Sequence, residues 1–321
     1  MDKPLLPRRE FVRRSASALG AVGGMAGASF VPSALADVEN SAPAISTPPR
    51  VAYDDVYEGA RLNRVAFPMG GLGAGMICLE GGGALSHVSI RNEPDVFNAP
   101  CIFAAITVKG AKPVARVLEG PVPGWKLFGA RNAANGDEGT SYGLPRFRTA
   151  SFKTRFPFGT VALTDDAIPI TARVTGWSPF IPGDDDNSSL PVASLEYRFT
   201  NTSRSPIDAV FSFNSKNFLP LEEKDSQAIR GTAGGFVMTS AGKPDEAWKE
   251  VSFSASVGDP EALVNLAWFR GGWWDPLTMA WKDVTAGNAY ARPAITQGDP
   301  SPGATIFVPM RLNAGASRTI A

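Results

Sequence analysis

Residues 194–213 read SLEYRFTNTSRSPIDAVFSF, and this stretch decides the fold class. Leu195, Tyr197 and Phe199 alternate with Glu196, Arg198 and Thr200. That is the period of two at which a strand sends apolar side chains to one face and polar ones to the other. Asn201-Thr202-Ser203-Arg204-Ser205-Pro206 follows, a run of turn formers. Beyond it Ala209, Phe211 and Phe213 alternate with Val210, Ser212 and Asn214. The stretch predicts two strands joined by a turn, each with one buried and one wet face, the pattern of an antiparallel β-sandwich.

Working outward, AAITVKG, KTRFPFGTVALTD, IPITARVTGW, GGFVMTS, VSFSASVG and TIFVPMRL also read as strands. Gly (33) and Pro (27) punctuate the chain too often for long helices. The exception is helical spacing in Leu277, Met279, Ala280 and Trp281, with Gly287 as a C-terminal stop after a Gly271–Pro276 loop. The expected class is all-β: a large antiparallel β-sandwich with one or two short helices. Apolar residues at 44% and charged residues at 19% are those of a chain that folds.

The N-terminal region is of another kind. Arg8 and Arg9 form a twin-arginine pair followed by Phe11 and Val12. A Gly/Ala-rich apolar stretch runs from Ala16 to Val31, and Ala34-Leu35-Ala36 is a small-x-small cleavage site. Residues 1–36 are therefore expected to be a twin-arginine signal peptide, 37–56 a linker, and 57–321 the folded domain, delivered to the periplasm or beyond. The apolar stretch is too short and too glycine-rich to span a bilayer, and no membrane span is expected in the mature chain. At the other end, SPGATIFVPMRLNAGASRTIA reads as a strand, a turn and the beginning of another strand, as in a truncated domain.

Composition excludes several classes of chemistry. Lys plus Arg equals Asp plus Glu at 31 each, so no net field favours nucleic acid. His87 is the single histidine, which argues against zinc sites and His-dependent triads, and no GxSxG elbow is present. Gly70-Gly71, Gly73 and Gly75 superficially resemble a dinucleotide-binding loop, but the register is wrong and Met76–Leu79 reads as a strand, not a helix. No cofactor and no metal are implied. Asp184-Asp185-Asp186-Asn187 is oxygen-rich but lacks EF-hand spacing, and a solvated turn is expected. Glu222-Glu223-Lys224-Asp225 is likewise expected to be a wet loop. Cys78 and Cys101 lie in strand-like text and are expected to be free, buried thiols.

Three segments in order carry a family resemblance: Phe67-Pro68-Met69-Gly70-Gly71-Leu72-Gly73-Ala74-Gly75, then Arg91-Asn92, then Arg155-Phe156-Pro157-Phe158-Gly159 with Trp177-Ser178-Pro179-Phe180-Ile181-Pro182-Gly183-Asp184 and Ser188-Ser189-Leu190-Pro191-Val192. Together they resemble the N-terminal domain of glycoside hydrolase family 116, the family of non-lysosomal glucosylceramidases and bacterial β-glucosidases. The resemblance implies a retaining β-glycosidase whose two catalytic carboxyls sit on a C-terminal (α/α)6 barrel. No residue of this chain matches those motifs, so no catalytic residue is carried over. The implied partner is the barrel, and through it a glycan or glycoside substrate. The domain is expected to brace the barrel and to lend loops to its pocket rim. Asp184, Asp186, Ser188 and Ser189 are one candidate contact. Trp273 and Trp274 are another, burial within the domain being the competing expectation. A free-standing carbohydrate-binding or adhesion module is the alternative function.

Overall fold

The computed structural model describes residues 55–96, 98–127, 140–273 and 275–321. The signal and linker assignments, and with them Arg8, Arg9, Ala34 and Ala36, lie outside the described residues apart from the linker's last two positions. The first strands are β1 (Tyr57–Glu58), β2 (Ala66–Met69), β3 (Met76–Glu80), β4 (Leu85–Ser89), β5 (Ile102–Val108) and β6 (Val114–Val117). Next come β7 (Thr149–Arg155), β8 (Phe158–Thr164), β9 (Ile170–Trp177), β10 (Ser194–Asn201) and β11 (Ile207–Lys216). Then follow β12 (Ser226–Thr232), β13 (Gly235–Ala241), β14 (Val251–Ser256), β15 (Leu263–Asn265), β16 (Gly303–Leu312) and β17 (Ser317–Ile320). Helices are α1 (Gly124–Leu127), α2 (Asp185–Ser188) and α3 (Pro276–Thr285), with two 3-10 turns. The described residues are mostly β, as expected, and of their α-helices only α3 exceeds one turn.

The strands form four antiparallel sheets, ordered β1-β7-β8-β9-β10-β17, β15-β16-β11-β5-β6, β12-β13-β14 and β2-β3-β4. The decisive stretch behaves differently from a hairpin. β10 pairs with β9 and β17, whereas β11 pairs with β5 and β16, so the turn at 201–206 passes the chain from one sheet to another. The two strands meet through side chains instead. The Tyr197 and Phe199 rings lie 5.0 and 5.9 Å from that of Phe211. They belong to one core that also takes in Leu79, Val161, Val174, Ile106 and Val308. Each such fully buried side chain contributes about 1.5–3 kcal/mol, and this core is what holds the two large sheets to one another.

The wet face expected for β11 is not there. Val210, Ser212 and Asn214 are all buried, because α3 and the loop before it cover that side of the sheet. Leu277 and Val284 of α3 pack on Cys101, Phe103, Ala105, Val210 and Phe307. The polar residues answer one another: Trp268 Nε1 donates to Thr305 Oγ1 (2.9 Å), which donates to Asn214 Oδ1 (2.9 Å), and Asn214 Nδ2 donates to Ser212 Oγ (3.0 Å). Buried polar groups persist when they are paired in this way. α3 starts at Asp275, whose carboxylate accepts from the Thr278 amide (2.8 Å), and stops before Gly287 at φ +66.

KTRFPFGTVALTD, read as one strand, is a hairpin. Arg155 faces Phe158, and Phe156-Pro157 is the two-residue tip between β7 and β8. Proline has no amide hydrogen to give a ladder, and the strand breaks there. Cys78 and Cys101 are free and buried, and burial pushes their thiols up to about 11 and about 12. No helix among the described residues is long and apolar enough to cross a membrane.

Candidate functional site

The glycine run and the 178–192 loop, over a hundred residues apart in sequence, form one unit. Gly70, Gly73 and Gly75 adopt φ of +118, +75 and +99, which lets the chain turn sharply between β2 and β3. The Gly70 amide donates to Ser178 Oγ (2.6 Å) and the Leu72 amide to the Ser188 carbonyl (2.9 Å). Gly71 lies so close to the loop that a Cβ there would overlap the backbone of Ser189 and Leu190. The glycines are needed for this approach, and β3 follows them directly, as the strand reading of Met76–Leu79 required.

Three of the four candidate polar residues of the loop, Asp184, Ser188 and Ser189, are hydrogen-bonded within it. Asp184 caps α2, its carboxylate accepting from the Asn187 amide (3.0 Å) and Asn187 Nδ2 (2.6 Å). Those two bonds hold its carboxyl below the usual range. Ser188 is buried, and its Oγ accepts from the Ile181 amide (2.9 Å) and donates to the Ile181 carbonyl (3.2 Å). Ser189 Oγ donates to the Asp185 carbonyl (2.6 Å). Asp185 and Asp186 remain exposed. Beside them the unit exposes apolar side chains: Leu72 at 59% exposure, Phe156 at 69%, and Phe180, Ile181, Leu190 and Val192. Phe156 stands edge-on to Phe180 at 5.0 Å, which carries this surface from the hairpin tip to the loop. Each of these segments is legible in the sequence, but no local signal joins them. What each shows is apolar residues at turn positions, where polar ones are the rule.

Trp273 lies in a separate loop ahead of α3 and is 94% exposed, so it is not part of the core. Trp274 lies outside the described residues. The Glu222–Asp225 stretch is more than a wet loop. Asp225 is buried and accepts from the Leu221 and Glu222 amides (2.9 Å each). The buried Lys249 ammonium lies 2.7 Å from Glu222, 3.0 Å from Glu246 and 3.7 Å from Asp225. Hydrogen bonds from Lys224 and Lys249 bring the Glu222 carboxyl down to about 2. Arg91, at φ +60, donates to the Leu219 and Lys249 carbonyls and ties this network to the segment after β4.

Two further buried carboxylates sit in ion pairs, Glu80 with Lys126 and Glu119 with Arg146 (2.8 Å). Burial raises the Glu119 carboxyl, and Arg146 opposes the rise. The cavity beside them, lined by Cys101, Glu119, Lys126 and Ser141, measures about 10 Å³, which admits at most one water and no sugar ring. A groove of about 450 Å³ elsewhere is lined by Lys109, Asp208, Glu261, Arg311 and Arg318, with Arg311 paired to Asp208 and Arg318 to Asp259. Among the described residues no group of three His, Cys, Asp or Glu could hold a metal ion.

The family model for the N-terminal domain of glycosyl hydrolase family 116, described as beta-glucosidase 2, matches residues 66–321. No curated protein matches the chain. The match takes in all three segments that carry the resemblance: the chain belongs to glycosyl hydrolase family 116, and residues 66–321 are that family's N-terminal domain.

Proposed function

We propose that this chain is the non-catalytic N-terminal domain of an exported retaining β-glycosidase of the β-glucosidase or glucosylceramidase type. Its two large sheets pack as a β-sandwich that braces a catalytic (α/α)6 barrel, and the Asp184–Pro191 loop contributes to the rim of the barrel's pocket. Trp273 is a second rim contact, with Trp274 beside it in the sequence. The twin-arginine peptide delivers the folded protein to the periplasm or beyond, with Asp37 as the mature N-terminus.

The observation that carries this reading is the family match to an N-terminal domain. It is supported by the state of the buried carboxylates. A retaining glycosidase needs two carboxyl groups about 5 Å apart, open to a sugar. Glu80 and Glu119 are instead engaged by Lys126 and Arg146 beside a water-sized cavity.

The test is to purify the native protein from the producing cells and assay p-nitrophenyl β-glucoside hydrolysis beside this chain alone. The expected result is activity in the exported fraction, in a protein that carries the barrel, and none in the chain alone. Hydrolysis by the chain alone, or a native product that binds glycans and has no barrel, would favour the free-standing module, a reading to which the exposed Trp273 also lends itself.

A further inference from the structure

The six-stranded sheet puts one face into the core and leaves the other open. On β7, β8, β9 and β10 the residues that alternate with the core positions are all exposed or half-buried. Strand register sorts that open face into rows. Arg173 lies directly opposite Arg198, flanked by Ala162 and Thr319. The next row holds Thr160, Thr175 and Glu196. Beyond it stand Phe158 and Trp177, whose ring centres are 5.9 Å apart. We propose that this face binds an oligosaccharide that carries a carboxylate, with the acid group held between Arg173 and Arg198 and a neutral ring stacked at Phe158 and Trp177. The inference goes beyond the functional reading above and does not depend on a barrel.

The argument starts from the arginine pair. Like charges set directly opposite each other on neighbouring strands destabilise a sheet. Both residues are exposed, and neither forms an ion pair with any described residue. No described group offsets the repulsion, whereas an anion between the two would. A carboxylate suits the place, because its two oxygens accept from planar guanidinium forks. The rows beside the pair say what else the ligand carries. Thr160 and Thr175 bring hydroxyls, whose mutual contact is long at 3.4 Å and which donate and accept as sugar hydroxyls do. Phe158 is 43% exposed and Trp177 half-buried, and together they give a ring of mixed polarity an aromatic surface to lie on. Rows two residues apart are separated by about 7 Å, so the arginines and the aromatic pair are about 14 Å apart. An extended chain of a few sugar rings spans that interval. Glu196, in the row between, sets the charge pattern. A continuous polyanion would bring a second negative charge against it, and like-charge contacts of that kind reject a partner. A ligand with one acid group followed by neutral rings meets no such contact.

The experiment titrates the full chain, by calorimetry at low salt, with cellotriose and with the same trisaccharide ending in glucuronic acid at its non-reducing end. The acidic probe is expected to bind about tenfold more tightly, and to lose that advantage at high salt. Arg173→Gln with Arg198→Gln should abolish the advantage, Phe158→Ala should weaken binding of both probes, and Trp273→Ala should change neither. A readout without ligand accompanies these. Arg198→Gln alone is expected to raise the melting temperature of the free chain by about 1 °C, because it relieves the like-charge contact. Equal affinity for the two trisaccharides, no binding of either, or an acidic advantage that survives the double substitution overturns the site. A lower melting temperature in Arg198→Gln also overturns it, since the arginines would then be satisfied within the fold. Retention of the chain on phosphatidylglycerol vesicles, lost in the double variant and unaccompanied by sugar binding, overturns the oligosaccharide in favour of a lipid surface. None of these outcomes bears on the functional reading, which the assay of the native protein decides.

Discussion

Asn201 occupies the last position of β10, where the chain leaves one sheet for the other, and it is 1% exposed. Its amide nitrogen donates to the carbonyls of Ser205 (2.8 Å), Leu312 (3.1 Å) and Asn313 (3.1 Å), and its oxygen accepts from the Ser203 amide and hydroxyl (2.8 Å each). One side chain thereby serves the backbone of two turns that have no ladder of their own. Asn201→Ala leaves several of these groups buried and unpaired, and is expected to destabilise the domain by about 2–4 kcal/mol, read by chemical denaturation. The two thiols give a second check at this scale. Burial, with Glu80 adding to it at Cys78, raises them to about 11 and about 12, so the reactive thiolate is scarce at pH 8. A disulfide reagent is expected to label neither cysteine in the native protein and both after unfolding in guanidinium.

At the scale of elements, the glycine turn and the 178–192 loop stand or fall together. Gly71→Ala forces the turn away from Ser189 and Leu190, and is expected to expose the loop to limited proteolysis near Gly183 while the large sheets stay folded. The Lys249 network makes the second test. The Glu222 carboxyl falls from 4.5 to about 2 on folding, and those of Asp225 and Glu246 are lowered as well. A carboxyl with a depressed folded value contributes stability that is complete above its unfolded value and is lost as pH falls through its folded one. The melting temperature is therefore expected to drop between pH 4.5 and about 2. Glu222→Gln should make that drop shallower while lowering the melting temperature at pH 7. A pH profile unaltered by the substitution would assign the acid sensitivity to other groups.

The molecule as a whole carries an apolar face and equal numbers of acidic and basic residues, 31 of each. Near neutral pH no net repulsion keeps copies apart. The chain is accordingly expected to bind a hydrophobic dye and to sediment as concentration-dependent oligomers. Replacing Leu72 and Phe156 by Ser should reduce both effects without altering the fold, since the two side chains are 59% and 69% exposed. Core positions differ in kind: Leu277→Ala, on the buried face of α3, is expected to cost about 2–4 kcal/mol.

The sequence by itself determined the local facts. Alternation at 194–200 marked a strand, Gly287 marked a helix end, the strand after Gly75 ruled out a dinucleotide loop, and the ordered motifs identified the family. These signals are local because side-chain periodicity and turn chemistry act over a few residues. Only the tertiary structure decided which strands share a sheet, that α3 dries the far face of β11, and that Asp225 belongs to a buried ion network rather than a wet loop. It alone buried Ser188, engaged Asp184 as a helix cap and set the exposed ring of Phe156 against Phe180. The reason is physical: burial and pairing come from contacts between segments tens to hundreds of residues apart, and no window along the chain contains both partners.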